Sequence, residues 1–209
     1  MDNELITGFI PSIMDGSELV FGVTEPISIP DEYTYVDNLP EVLDQGSAQI
    51  CVPCTVSSYL NWRENLKDGS TKNNYVYLYE IYGSRTNTGE GMTYKDALKF
   101  LRKKGVKSKF GHMKINSYGK VTSSQVLKYA LILNGPCFSA LPVFSKRDRF
   151  WEKWVGDRLE GYHAIAIVGY NSEGFIIRNS WGKSFGDNGY VILPYNDFDK
   201  LIETWTVMD

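Results

Sequence analysis

The feature that most constrains the fold is a change of pattern at Gly135. Before it, residues 51 to about 133 carry helical patterns with recognisable starts and stops. After it, short apolar runs separated by turn residues are typical of strands. The predicted helices run from Cys51 to Gly69, from about residue 74 to 85, from Thr93 to Gly105 and from about 122 to 134, and the predicted strands are 136–143, 162–170, 175–179, 190–193 and 204–208. This order predicts an α+β protein with a helical lobe followed by a mainly antiparallel sheet.

Residues 1–35 resemble neither half and predict an extended N-terminal arm. The run Gly8-Phe9-Ile10-Pro11, with Pro26 and Pro30, disfavours helix there. We expect residues 1–30 to lie partly over a cleft, because Phe9, Ile10 and Phe21 offer apolar anchors. The arm is therefore a candidate short pro-segment. The remaining domain spans 36–209, with a helical lobe at about 45–133 and a β lobe at about 134–209.

Composition and charge exclude several classes of function. The 209-residue chain has a net charge of −3 and scattered basic residues, which gives no basis for nucleic-acid binding. It contains no run of about 18 apolar residues, so no membrane span is expected. The first residues lack the basic and apolar regions of a signal peptide. Three cysteines are too few for a disulfide scaffold, so we expect free thiols in a reducing, cytoplasmic location.

The segment from Gln45 to Cys51 has the properties of a nucleophile site. A cysteine that opens a helix lies beside unpaired backbone N–H groups and the positive end of the helix dipole, which lower the thiol pKa. Gln45 precedes the cysteine by six positions, far enough to fold back toward it. A side-chain amide of Gln45 and the backbone N–H of Cys51 would together form an oxyanion hole.

His163 is the candidate base. It begins an apolar strand in Gly161-Tyr162-His163-Ala164, where an isolated histidine would usually be a core residue. Asn179 follows 16 positions later, and an antiparallel hairpin would place it beside His163. The Asn179 side-chain oxygen could then accept the imidazole N–H and select one tautomer.

Together these segments resemble the papain family of cysteine peptidases. The resemblance covers residues 36–209 and is carried by Gln45 to Cys51, by Tyr162-His163-Ala164 through Val168-Gly169-Tyr170, and by Asn179-Ser180-Trp181-Gly182 with Gly186-Asp187-Asn188-Gly189-Tyr190. It implies a two-lobe fold, with a helical left lobe, an antiparallel β-sheet or barrel in the right lobe, and the active-site cleft between them. It also implies a hydrolase that cleaves peptide bonds through an acyl-enzyme.

The resemblance implies a role for each matching residue: Cys51 as nucleophile, His163 as acid and base, Asn179 as its orienting group, Gln45 as oxyanion donor, Trp181 as a shield of the His–Asn pair, and Gly91 as a backbone partner of the substrate. The substrate would be a peptide or protein bound as an added strand. No metal or organic cofactor is implied. Whether the enzyme is an endopeptidase or an exopeptidase stays open.

The departures from the family pattern are local. Ala48 stands where a cysteine is usual, so the common disulfide of that lobe cannot form. Ile50 and Val52 put bulk on either side of the nucleophile. The spacings from Cys51 to His163 and Asn179 are 112 and 128 residues, which indicates trimmed loops. The short arm resembles the microbial and viral branch, which suggests a role in a microbe or its virus.

Two other functions are compatible with parts of the sequence. Cys51-Val52-Pro53-Cys54 is a CxxC motif of the kind used by thiol redox proteins, although the polar segment before it does not resemble their strand. A catalytically inactive binding or structural protein of the same fold is the second alternative. Cys137 is expected in the core and His112 at the surface or in packing. Neither zinc nor calcium spacing is present.

Overall fold

The fold is described from a computed structural model, which covers residues 7–25, 27–70, 73, 76–86 and 89–209. The helices in these ranges are α1 (Cys51–Asp68), α2 (Val76–Tyr82), α3 (Tyr94–Lys103) and α4 (Ser124–Asn134), with short 3-10 helices at Val36–Asn38 and Tyr195–Lys200. The strands are β1 (Tyr33–Thr34), β2 (Val106–Ser108), β3 (Gly111–Met113), β4 (Ser117–Lys120), β5 (Cys137–Val143), β6 (Gly161–Tyr170), β7 (Gly174–Arg178), β8 (Tyr190–Pro194) and β9 (Thr204–Met208).

One antiparallel sheet organises the described chain. Its strand order is β4-β9-β5-β6-β7-β8, and β1 pairs with β6. Alternate residues of the central strand β6 enter two apolar clusters, because successive side chains of a strand point to opposite faces. Ala164 and Ala166 pack with residues of α1 and α3, whereas Ile165 and Ile167 pack with residues of α4. Helices therefore cover both faces, and the predicted α+β class is confirmed.

The helix ends follow the predicted capping chemistry. Gly69 ends α1 in the left-handed conformation, with φ of 68°. The Thr93 side chain accepts the Asp96 N–H at the start of α3, and the Ser123 side chain accepts the Val126 N–H at the start of α4. None of the helices in the described part of the chain is long and apolar enough to cross a membrane.

Two predictions about the first half are wrong in detail. The second helix is shorter than expected, since Arg85 lies beyond its end at Tyr82, and residue 74 is outside the described ranges. The stretch before Gly135 also contains β2, β3 and β4, and β4 joins the main sheet beside β9. These strands have three or four residues each and little apolar alternation. Pairing with a partner distant in sequence stabilises β4, and no local pattern reports that pairing.

Candidate active site

Cys51 is the first residue of α1, and its sulfur lies where α1, β6 and the arm meet. Ile50 precedes it and supplies no side-chain cap, so the N–H groups of the first turn remain available. The backbone N–H groups of Cys51, Val52, Ala164 and Gly8 act on the sulfur. Three separate segments therefore present donors to this one atom.

Burial dominates the acidity of the thiol. Exclusion of water raises the pKa of Cys51 to about 12, although the surrounding N–H groups act in the opposite direction. The expectation of a lowered thiol pKa is therefore wrong for this arm-covered form. His163 is also fully buried, and the loss of solvent lowers its pKa to about 4. At neutral pH the two side chains are a neutral thiol and a neutral imidazole.

Hydrogen bonds determine the tautomer of His163. Its Nε2 lies 2.6 Å from Asn179 Oδ1, and the same Oδ1 accepts the Ser180 N–H at 2.7 Å. An atom that accepts a backbone N–H is an oxygen, so Nε2 must carry the proton in that pair. Nδ1 is then the basic nitrogen, and this buried atom has no hydrogen-bond partner. The ring is therefore prepared to accept a proton at Nδ1.

Aromatic side chains enclose the His163–Asn179 pair. The Trp181 ring lies 4.5 Å from the His163 ring, and the Phe150 ring lies 5.8 Å from it, edge to face. Phe150 and Phe185 also contact Trp181 at 5.0 and 4.9 Å. This cover excludes water from the hydrogen bond, which strengthens it.

Gln45 is held beside the start of α1 by the segment that carries Asn179. Its backbone N–H and its side-chain Oε1 both bind Ser180, at 2.9 Å to the carbonyl and 2.6 Å from the hydroxyl. Its Nε2 donates to the Ala48 carbonyl at 2.8 Å. An amide nitrogen has two hydrogens, so one N–H of Gln45 remains to bind a ligand.

Residues 7–10 of the arm cross directly over the sulfur. The Gly8 N–H lies near enough to lower the pKa of Cys51, while the Gly8 carbonyl accepts the Met92 N–H at 2.9 Å. Ile10 N–H then binds the Met92 carbonyl at 3.0 Å, so the arm runs parallel to the segment 91–92. A Cβ on Gly91 would lie 2.7 Å from the Gly8 carbonyl oxygen, so Gly91 permits this approach.

Further contacts hold the arm along the cleft. Phe9 is buried, with its ring 5.3 Å from that of Tyr94. Ser12 donates its hydroxyl and its N–H to the buried Glu203 carboxylate, at 2.8 and 3.3 Å. Lys95 forms an ion pair with Glu18 at 2.6 Å. The hypothesis that the arm lies over the cleft agrees with these contacts.

Sequence reasoning missed two residues of the site. Ser180 binds both Gln45 and Asn179, so it couples the oxyanion candidate to the histidine partner. Its signal was its place directly after Asn179 in the Asn-Ser-Trp-Gly block. Phe150 packs on His163 and Trp181 from a loop that carries no recognisable pattern. Val52, one of the two bulky residues beside the nucleophile, is buried in the core cluster that also contains Cys51.

Comparison with known proteins decides the family. A family model, that of the papain family cysteine proteases, matches residues 34–204. This chain belongs to the papain family. Rat cathepsin Q is 35% identical over 95 residues, which are 36% of this chain and 28% of that protein. The chain thus matches less than a third of the length of this relative.

Two microbial proteins extend the family comparison. An uncharacterised peptidase C1-like protein of Acanthamoeba polyphaga mimivirus is 37% identical over 54 residues, covering 23% of this chain and 17% of that protein. The crystal structure of xylellain, a cysteine protease from Xylella fastidiosa, superposes with a TM-score of 0.77 at 23% identity, covering 96% of this chain and 95% of that one. The papain-like two-lobe fold is thereby confirmed.

Proposed function

We propose that this papain-family chain is a cysteine peptidase with Cys51 as its nucleophile. The observation that carries the proposal is the His163 ring. Nε2 donates its proton to Asn179 Oδ1, which leaves Nδ1 as a base without a hydrogen-bond partner. The next residue of the same strand is Ala164, whose backbone N–H acts on the Cys51 sulfur. A nucleophile, its base and a group that orients the base are the components of nucleophilic acyl transfer.

The mechanism follows from these positions. His163 Nδ1 takes the thiol proton, and the Cys51 sulfur attacks a peptide carbonyl carbon. The free N–H of Gln45 and the backbone N–H of Cys51 hold the developing oxyanion. His163 returns the proton to the leaving amine, and water then releases the acyl group. The Ser180 hydroxyl keeps the Gln45 amide in place by occupying Oε1.

The arm-covered form is the latent state of this enzyme. A bond is cleaved only when its carbonyl carbon faces the sulfur and its oxygen faces the oxyanion donors. The Gly8 carbonyl instead accepts the Met92 N–H, so the arm occupies the site while this carbonyl is held away from the oxyanion donors. A substrate peptide would take the place of residues 7–10 and use the same main-chain partners in segment 91–92.

The proposal is tested by labelling and hydrolysis with matched variants. The protein is treated with an epoxide inhibitor of papain-like enzymes, and the labelled residues are identified by peptide mass spectrometry. In a parallel assay, hydrolysis of an unfolded protein substrate that carries self-quenched fluorescent dyes is followed as an increase in fluorescence. We expect one adduct, on Cys51, in a variant whose arm is displaced. Cys51→Ala and His163→Ala should lose both signals, and Cys137→Ala should keep both, because Cys137 lies in the other apolar cluster.

The inactive alternative gives a different result. If the chain is a binding protein of the same fold, its arm-displaced variant will be folded but will not cleave the substrate. Cys51 in that variant will react no faster than an unactivated thiol. Cleavage that survives in Cys51→Ala would refute the assignment of the nucleophile.

A further inference from the structure

The second cysteine of the CxxC motif has no part in the proposed peptidase mechanism. Cys54 lies one turn after Cys51 in α1 and is buried. In an α-helix, residues three apart have Cα atoms about 5 Å apart, within the roughly 4.4–6.8 Å that a disulfide requires. Residues at this spacing also share a helix face. The two thiols are therefore within reach of a bond that needs only local adjustment.

Moving the two side chains closer costs little free energy at this end of the helix. Pro53, between the two cysteines, has no N–H and so makes no helical hydrogen bond. The Cys54 N–H binds the Ile50 carbonyl at 2.9 Å, and this is the bond that a closer approach of the two side chains would strain. A disulfide here would be under strain, and strained disulfides are the ones that thiols reduce readily.

One buried neighbour, Arg178, favours the charged form of Cys54 against the effect of burial. Arg178 is buried and bonds to three neutral groups: Ser58 Oγ at 3.3 Å, Tyr190 OH at 2.7 Å and the Glu41 carbonyl at 2.8 Å. Within the described residues, no carboxylate forms an ion pair with it. A buried cation without a counter-ion stabilises any anion that forms near it.

The Cys54 thiol is close enough to feel that cation. Burial raises the pKa of Cys54, and the Cys51 and Asp44 charges raise it further, while the Arg178 charge lowers it. Only Arg178 among these groups favours the thiolate. That the Cys51 charge raises the pKa of Cys54 agrees with the closeness of the two residues in the helix.

We propose that Cys54 is a resolving cysteine, which converts an oxidised Cys51 into a Cys51–Cys54 disulfide and thereby switches the peptidase off reversibly. The oxidant is a hydroperoxide. The Cys51 thiolate attacks a peroxide oxygen, the O–O bond breaks, and a sulfenic acid forms with release of hydroxide. The Cys54 sulfur then attacks the Cys51 sulfur, the S–O bond breaks, and the hydroxide leaves as water.

The oxidation balances in atoms and electrons, and a thiol reductant can reverse it. Two thiols and one hydrogen peroxide give one disulfide and two waters, so the thiols supply both electrons. A dithiol returns the two electrons and restores Cys51. Without Cys54, the sulfenic acid would react with a second peroxide and become a sulfinic acid, which thiols do not reduce. The inference rests on the proposed reactivity of Cys51.

The test uses the full chain with the arm displaced by Gly8→Val, so that peroxide reaches Cys51. The protein is treated with hydrogen peroxide, unfolded, alkylated and mapped by mass. We expect one peptide with an internal Cys51–Cys54 disulfide, lighter by two hydrogens and unalkylated at both cysteines, and full recovery of Cys51 labelling after dithiothreitol. With Cys54→Ala or the nearly isosteric Cys54→Ser we expect sulfinic Cys51 and no recovery. Cys137→Ala is the matched control and should behave as the parent.

Each other outcome would overturn the proposal. Recovery in the Cys54 variants equal to that of the parent would show that Cys54 resolves nothing. Sulfinic Cys51 in the Gly8→Val protein, or unoxidised Cys51 in a Gly8→Val protein whose Cys51 reacts with the epoxide, would show that no disulfide captures it. The mass readout does not depend on hydrolysis, so an internal Cys51–Cys54 disulfide in a protein without peptidase activity would refute the proposed function and leave the cross-link standing.

Discussion

Replacing Gly8 with valine should open the active site without removing any of the arm. A Cβ on Gly8 would lie 2.7 to 2.8 Å from three backbone atoms of Gln49, where ordinary contacts are no shorter than 3.4 Å. The Gln49 backbone leads directly into α1 and cannot move away. The arm must therefore lift from the sulfur. Gly22 is the matched control, because nothing lies within 4 Å of a Cβ there.

The size of the effect follows from the cost of overpacking. Forcing extra atoms into a filled site costs about 1–3 kcal/mol, which shifts the closed-to-open equilibrium by about 5- to 150-fold. If only the open form reacts, the second-order rate of epoxide labelling at Cys51 should rise by the same factor. Intact mass spectrometry at several times measures that rate.

The control and the refuting result use the same assay. Gly22→Val should label at the parental rate, which excludes a general effect of valine in the arm. A folded Gly8→Val protein that labels no faster than the parent would refute the reasoning, because the arm would then not limit access to the thiol.

Three further predictions concern the arm and the histidine. Ser12→Ala removes the hydroxyl donor from the buried Glu203 carboxylate and keeps the backbone N–H, so it should cost about 1–3 kcal/mol of arm closure and speed labelling. Ser17→Ala, whose side chain bonds to Asp15 in an exposed turn, should not speed labelling; equal rates in the two variants would contradict the role of Ser12 in holding the arm. Asn179→Ala should lower kcat/KM by about 10²-fold, at the low end of what positioned acid–base catalysis contributes. It should also lower the melting temperature, because the buried His163 and Ser180 N–H groups lose their acceptor; an unchanged kcat/KM in the folded variant would contradict the orienting role. Acid should loosen the arm: the pKa of buried His163 is about 4, against an ordinary 6.5, so the part of this shift that the arm causes weakens closure as the pH falls from about 6.5 toward 4. The open fraction then rises by at most about tenfold per pH unit. Hydrogen exchange at the Phe9 and Ile10 amides measures this, and the same rise in His163→Gln would contradict the assignment.

Much of the candidate site was predictable because its signals are local. A cysteine that begins a helix needs only the helix start after it, and the α1 boundary at Cys51 is as expected. His163 and Asn179 lie on β6 and just after β7, adjacent antiparallel strands, so their meeting follows from one hairpin. The Thr93 and Ser123 caps likewise depend on residues three positions away.

The rest depends on segments far apart in the chain. Ser180 meets Gln45 across 135 positions, and β4 meets β9 across about 90, so no short pattern reveals either contact. Phe150 reaches the His163 ring from an irregular loop. The acidity of Cys51 was predicted with the wrong sign because the helix-start effect is local, whereas the exclusion of water that outweighs it depends on the arm.

The sequence by itself determined the helix-then-strand order, the helix caps and the identity of the reacting groups, because these depend on periodicity and on residues a few positions apart. Only the tertiary structure decided where the arm runs, which way the Gly8 peptide faces and how Gln45 is held. These outcomes depend on close contacts between distant segments. The acidity of the thiol and the imidazole belongs with them, since it depends on how much water those contacts exclude.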